Sequence, residues 1–198
     1  NVFEDGQPAK AAEVNANFDY LTEWLNPDEG YNMFFGSNPD PDISLITDAE
    51  TGAANTAFGF ASQSKITTAL DNTSFGYSSL TSLLHGDRNT AVGSDAAFHT
   101  MDGDNNVAIG EGSLKYNITG SGNTAIGTRA NYDSVNASGN TSVGAAAMRQ
   151  FSEGFGNVAL GFNAMSGLGL EDQPQVDQST RGDGNVAIGV SALMKNTG

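Results

Sequence analysis

The sequence predicts an all-β chain, a parallel β-solenoid or β-roll of 17-residue coils, preceded by a short N-terminal α-helix. Three observations predict it. A five-residue opening, Asn–(Thr/Val)–(Ala/Ser)–apolar–Gly, starts at Asn55, Asn72, Asn89, Asn106, Asn123, Asn140, Asn157 and Asn185. The first seven starts are 17 residues apart, and the eighth comes after 28, one period plus an 11-residue insertion. Small and larger residues alternate within each opening, as they do along a strand. A period this regular marks a solenoid, in which each copy is one coil and no copy can bury its apolar face alone.

The N-terminal part, 1–26, reads as an arm and a helix. Asp5-Gly6 suits a turn, and Pro8 suits a first helical turn. Ala11, Val14, Phe18, Leu21 and Leu25 follow at spacings of 3, 4, 3 and 4, an apolar seam about two heptads long. So short a helix is marginal alone. It either packs on its own domain or holds several chains in register as a parallel coiled coil. Asn26-Pro27 ends it.

Residues 27–54 read as a degenerate capping coil. Asn32-Met-Phe-Phe-Gly36 matches the repeat opening at its Asn, its apolar fourth position and its Gly. Phe34 and Phe35 are expected to cap the open end, because terminal repeats are atypical.

The regular coils occupy 55–198. Position 1 is Asn in every copy. Stacked side chains one strand spacing apart, ~4.8 Å, are expected to bond to one another and to the turn backbone. Position 3 is always small: Ala57, Ser74, Ala91, Ala108, Ala125, Ser142, Ala159 and Ala187. Position 4 is always apolar: Phe58, Phe75, Val92, Ile109, Ile126, Val143, Leu160 and Ile188. Position 5 is Gly59, Gly76, Gly93, Gly110, Gly127, Gly144, Gly161 and Gly189. The larger side chains of positions 2 and 4 are expected to fill the interior. The small face at position 3 is then left for another polypeptide to approach closely.

A second segment carries apolar residues near positions 9–13, such as Leu80, Leu83, Phe98, Met101, Leu114, Ile118, Met148 and Met165. Three or four buried apolar side chains per coil, at ~1.5–3 kcal/mol each, fall short of ~1–2 kcal/mol of backbone entropy per residue. Stacking and self-association must supply the rest.

At NVAIGEGS (106–113) and NTAIGTRA (123–130) the chain resembles the head repeats of trimeric autotransporter adhesins. It also resembles the NTAIG-type repeats of phage tail-fibre and related bacterial surface proteins. The resemblance covers roughly 55–198. It implies a left-handed β-roll, three chains around one axis, and a fibrous role on a cell surface or virion. The coils here are longer than those such adhesin heads use. AAEVNANFDYL (11–21) looks like a segment near the start of various secreted bacterial proteins and phage fibres.

Composition narrows the function. Eight basic residues face 23 acidic ones, a net charge of −15, which disfavours nucleic acid and anionic membranes. No apolar run is long enough to span a bilayer. There is no cysteine, hence no thiolate metal site or thiol nucleophile. The chain starts at Asn1 without methionine, which suggests that something upstream was removed.

No catalytic constellation stands out, and the expectation is a protein that is not an enzyme and carries no cofactor. His85 and His99 read as solvated surface residues. Acidic turns at Asp102-Gly103-Asp104 and Asp183-Gly184 leave Ca²⁺ as an open possibility without the EF-hand or nonapeptide spacing. Arg181-Gly182-Asp183 matches an integrin-recognised tripeptide, but its Gly already serves the repeat. The inserted loop at 167–181 is the best single candidate for a specific contact.

The expectation is therefore a structural, extracellular or virion fibre protein. It is a homotrimeric shaft or head, able to adhere or to stack head to tail into filaments. The alternative within that class is a phage tail-fibre segment for host attachment. A different class, an ice-binding solenoid, rests on a partial threonine column at Thr56, Thr73, Thr90, Thr124 and Thr141, which Val107, Val158 and Val186 interrupt. An enzyme carried on a fibre would need a recurrent acidic pair, and the repeats have none.

Overall fold

In the structure, a computed structural model, residues 33–35, 54–150, 154–167 and 183–193 are described. They form an all-β parallel solenoid, with no helix among them. The helix seam Val14, Phe18, Leu21 and Leu25, most of the 27–54 coil and the 168–181 part of the inserted loop lie outside the described residues.

Nine three-residue strands stack in chain order into one parallel sheet. They are β1 (Met33–Phe35), β2 (Thr56–Phe58), β3 (Thr73–Phe75), β4 (Thr90–Val92), β5 (Val107–Ile109), β6 (Thr124–Ile126), β7 (Thr141–Val143), β8 (Val158–Leu160) and β9 (Val186–Ile188). Each strand pairs with the next in the register that superposes equal repeat positions, as in Ala108↔Ala125. The register survives the insertion, since Ala159 pairs with Ala187 across 28 residues. It also extends back to β1, where Phe34 pairs with Ala57. A chain that returns to the same place every 17 residues can only lay its strands parallel.

The strands present the opposite face to the one expected. The small central residues point inward: Ala91, Ala108, Ala125, Ser142 and Ala159 are wholly buried. The larger neighbours point outward, and Phe75 is 54% and Ile109 38% exposed. The reason is the width of the coil. A 17-residue loop closed by tight turns encloses a narrow interior. That interior already holds position 1 and the long side chains of position 9, such as Leu80, Leu114 and Met148, all fully buried. Only Ala or Ser fits opposite them. The small face is therefore not a surface for a second polypeptide.

The second segment contributes less apolar bulk than its composition suggests. Leu80, Leu83 and Leu114 are buried, but Met101 and Ile118 are more than a third exposed. Position 12 changes along the stack from Ile66 and Leu83 to Thr100, Asn117 and Ser134, all buried. The core is thus half polar: Asn117 Nδ2 donates to Gly120 O at 2.8 Å, whereas the Thr100 and Ser134 hydroxyls and Asn117 Oδ1 meet no hydrogen-bond partner.

The turns after each strand use left-handed backbone at positions 7 and 9. Leu80, Leu114 and Met148 have φ of 50°, 50° and 52°. Such residues cost roughly 1–2 kcal/mol each. Two gains offset that. The conformation turns the side chain into the core, and it aims the N–H at the next coil: Leu114 N donates to Ala130 O at 3.0 Å and Met148 N to Ala164 O at 2.9 Å.

Candidate functional site: an uncharged sheet face

Inside the coil, position 1 forms a continuous hydrogen-bonded column. Asn106 Oδ1 accepts from Asn123 N at 2.9 Å and from Asn123 Nδ2 at 3.1 Å. Asn106 Nδ2 donates to Asn89 Oδ1 at 3.0 Å and to Gly120 O at 2.9 Å. The same pattern links Asn55 to Asn72, Asn140 to Asn157, and Asn157 to Asn185 across the insertion. The position-15 acceptor is a backbone carbonyl, so Ala69 and Ala137 serve as well as the glycines there. Asn55 to Asn157 are at most 1% exposed, so no ligand reaches them. The column ties coils together.

A second column runs outside the first, and the repeat consensus did not disclose it. At position 16, Asp104 Oδ1 accepts from Asp87 N at 2.8 Å, and Asp87 Oδ1 from Leu70 N at 2.8 Å. Ser121 and Ser138 hydroxyls accept the equivalent N–H groups at 3.0 Å each. The signal was present: Asp or Ser follows the position-15 Gly or Ala in most copies. Its variation between two residue types hid a single role, a short side-chain acceptor.

Carboxylates of the acidic turns take part in such bonds as well. Asp102 Oδ1 lies 2.7 Å from His85 Nδ1 on the surface, and Asp104 is committed to the Asp87 N–H. Asp183 Oδ1 accepts from Phe155 N at 2.8 Å; Arg181 and Gly182 lie outside the described residues. Among the described residues, no three or more His, Asp and Glu side chains are gathered together.

The remaining conspicuous surface is the outer face of the sheet. From β2 to β9, positions 2 and 4 carry only Thr, Val, Ile, Leu and Phe. Not one charge interrupts either column. Eight strands at ~4.8 Å spacing make the face about 34 Å long. Position 4 stays more than a third exposed at Phe58, Phe75, Val92, Ile109, Ile126, Val143 and Ile188. At the β2–β3 end the aromatic rings stack on one another, Phe58 on Phe75 at 4.8 Å and Phe60 on Tyr77 at 5.6 Å. The threonine column shares this face. It points outward, not inward as its period-2 partner positions had suggested, because the strand is turned over.

Comparison of the chain with protein-family models, curated proteins and solved structures finds no match. The reading of this face therefore rests on its chemistry. The strip is uncharged along its whole length on a chain of net charge −15, and contiguous exposed faces of this kind mark interaction surfaces.

His99 also departs from its expected place. It is half-buried, stacked 5.0 Å from Tyr116. Burial, and then the neighbouring Lys115 ammonium, hold its pKa below the usual imidazole range. It sits on another side of the coil, at position 11, away from the sheet face.

Proposed function

We propose that this chain is a structural fibre subunit, a solenoid rod that associates with two further copies of itself through the outer sheet face. The uncharged columns at positions 2 and 4 carry the reading. The trimer, the surface or virion location and a role in adhesion or host attachment follow the resemblance of the NTAIG-type repeats. Burying the β-branched and aromatic side chains that a lone chain leaves exposed, such as Phe75, Ile109 and Ile188, adds the apolar area that a thin, half-polar core lacks. Intercoil hydrogen bonds stiffen each rod, and association shields its face from water and from unrelated chains.

Light scattering on the 198-residue chain tests it. A trimer is expected, and Ile109→Asp with Ile126→Asp is expected to dissociate it into folded monomers. Each buried, unpaired carboxylate costs several kcal/mol at an interface and almost nothing on a solvated strand. A wild-type monomer at micromolar concentration would overturn the reading. Open-ended species would replace the closed trimer by a head-to-tail filament.

The outward threonines favour a second reading, an ice-binding face. Thr56, Thr73 and Thr90 stack in register, as do Thr124 and Thr141, with Val107 between the two runs. Thermal hysteresis of a monomeric sample would support it. Its absence, with ice crystals growing unfaceted, would dismiss it.

A further inference from the structure

Positions 10 and 11 vary from coil to coil, from Ser64, Thr81 and Ser82 to Arg149 and Gln150, and Thr81 Oγ1 donates to Ala61 O at 2.8 Å. Three consecutive coils place aromatic rings there. Phe98, His99, Tyr116 and Tyr132 form an unbroken chain of ring contacts there. Phe98 meets His99 edge-on at 4.6 Å, His99 stacks on Tyr116 at 5.0 Å, and Tyr116 meets Tyr132 edge-on at 5.1 Å. The outer two rings are thus turned across the inner pair.

Charged side chains bind the cluster's edges in matched pairs. Lys115 Nζ lies 5.7 Å over the Phe98 ring and donates to Asp95 Oδ2 at 2.9 Å. Arg129 lies 5.9 Å over the Tyr132 ring and 3.6 Å from Glu111. The backbone makes room as well: Gly112 has φ of 61°, and an added Cβ would sit 3.1 Å from the Tyr132 ring. Every other described copy has a side chain at this position.

We propose that this corner is a binding site for a neutral oligosaccharide. A pyranose offers C–H bonds on its faces and hydroxyls around its rim. Aromatic rings take the first, and paired carboxylates and cations take the second; mixed aromatic and polar linings of this kind mark ligand sites in general. Local charge selects for a neutral sugar. Lys115 and Arg129 are each matched by an acid, and burial, then the Lys115 and Lys65 ammonium groups, hold the His99 pKa below the usual imidazole range. A nucleic acid is disfavoured by the chain's net charge of −15. Self-packing along a rod would repeat from coil to coil, as the sheet face does, whereas this cluster spans three coils and lies on another side. Tyr116, 37% exposed, is the ring most open to a sugar.

Saturation-transfer NMR on the full chain, with cellohexaose, chitohexaose and maltohexaose as probes and oligogalacturonate as the anionic control, tests the proposal. Transfer to at least one neutral hexasaccharide is expected, with Tyr116→Phe binding as the wild type and Tyr116→Ala about tenfold weaker. Glu111→Ala alters only a surface ion pair, so it keeps the fold even if the ring variants do not; it is expected to weaken binding severalfold. No transfer from any neutral probe at millimolar concentration overturns the site. So does a preference for the galacturonate, or binding indifferent to both Tyr116→Ala and Glu111→Ala.

Discussion

Gly127→Ala is expected to lower the melting temperature by roughly 10–15 °C, a loss of about 4 kcal/mol for a chain of this size. Gly127 has φ of 129°, and a Cβ there would lie 2.7 Å from the carbonyl carbon and oxygen of Gly144 in the next coil. Both obstacles are backbone, so neither can rotate away. The conformation alone costs about 1–3 kcal/mol for an L-residue, and the overlap adds about 1–3 kcal/mol more. Relief requires the coils to part, against Gly127 N donating to Ile109 O at 2.7 Å and Gly144 N to Ile126 O at 2.8 Å. Gly156→Ala is the control. Its φ is 66°, nothing lies within 4 Å of the added Cβ, and Arg88 and Asn105 already hold left-handed conformations at the same repeat position. It is expected to cost about 1 kcal/mol. Equal melting temperatures for the two variants would sink the close-approach argument.

Asn106→Ala is expected to cost a similar amount, about 4 kcal/mol, for a different reason. The change removes an acceptor used by two donors of Asn123 and a donor used by Asn89 and Gly120. The Asn123 N–H is left buried without this acceptor, at about 1–3 kcal/mol, while the Gly120 carbonyl keeps Asn117 Nδ2 at 2.8 Å; the lost Asn123 Nδ2 bond and a cavity add to that. Replacing Thr119, whose hydroxyl bonds to Asn136 Oδ1 in the open, is expected to change stability by less than about 0.5 kcal/mol. Thermal unfolding of both variants checks the contrast. An Asn106→Ala protein as stable as Thr119→Ala would show that the column carries no load. Solenoids unfold in part as well as whole, so amide exchange at coils 89–139 should report the loss even where the global midpoint moves little.

The all-β solenoid was legible because its evidence is repetition. Seven equally built openings at one 17-residue period, and an eighth after an insertion, stack equal positions coil upon coil. What was not legible was which strand face is inside. Alternation has two faces, and size suggested that Phe58 or Ile109 fills the core. Yet the core's bulk comes from position 9, where Leu80 and Leu114 vary with Ala97 and Asn131 and so hid their shared place. The ring chain at Phe98, His99, Tyr116 and Tyr132 was hidden likewise, because it joins positions 10 and 11 of different coils, and no single repeat contains it.

By itself, then, the sequence determined the period, the parallel order of the strands and the residues that must lie above their own copies, because translational repetition maps equal positions onto one another. Only the tertiary structure decided what faces water. Closing a 17-residue coil fixes the width of its interior, and that width admits alanine and serine from the sheet while turning threonine, isoleucine and phenylalanine outward.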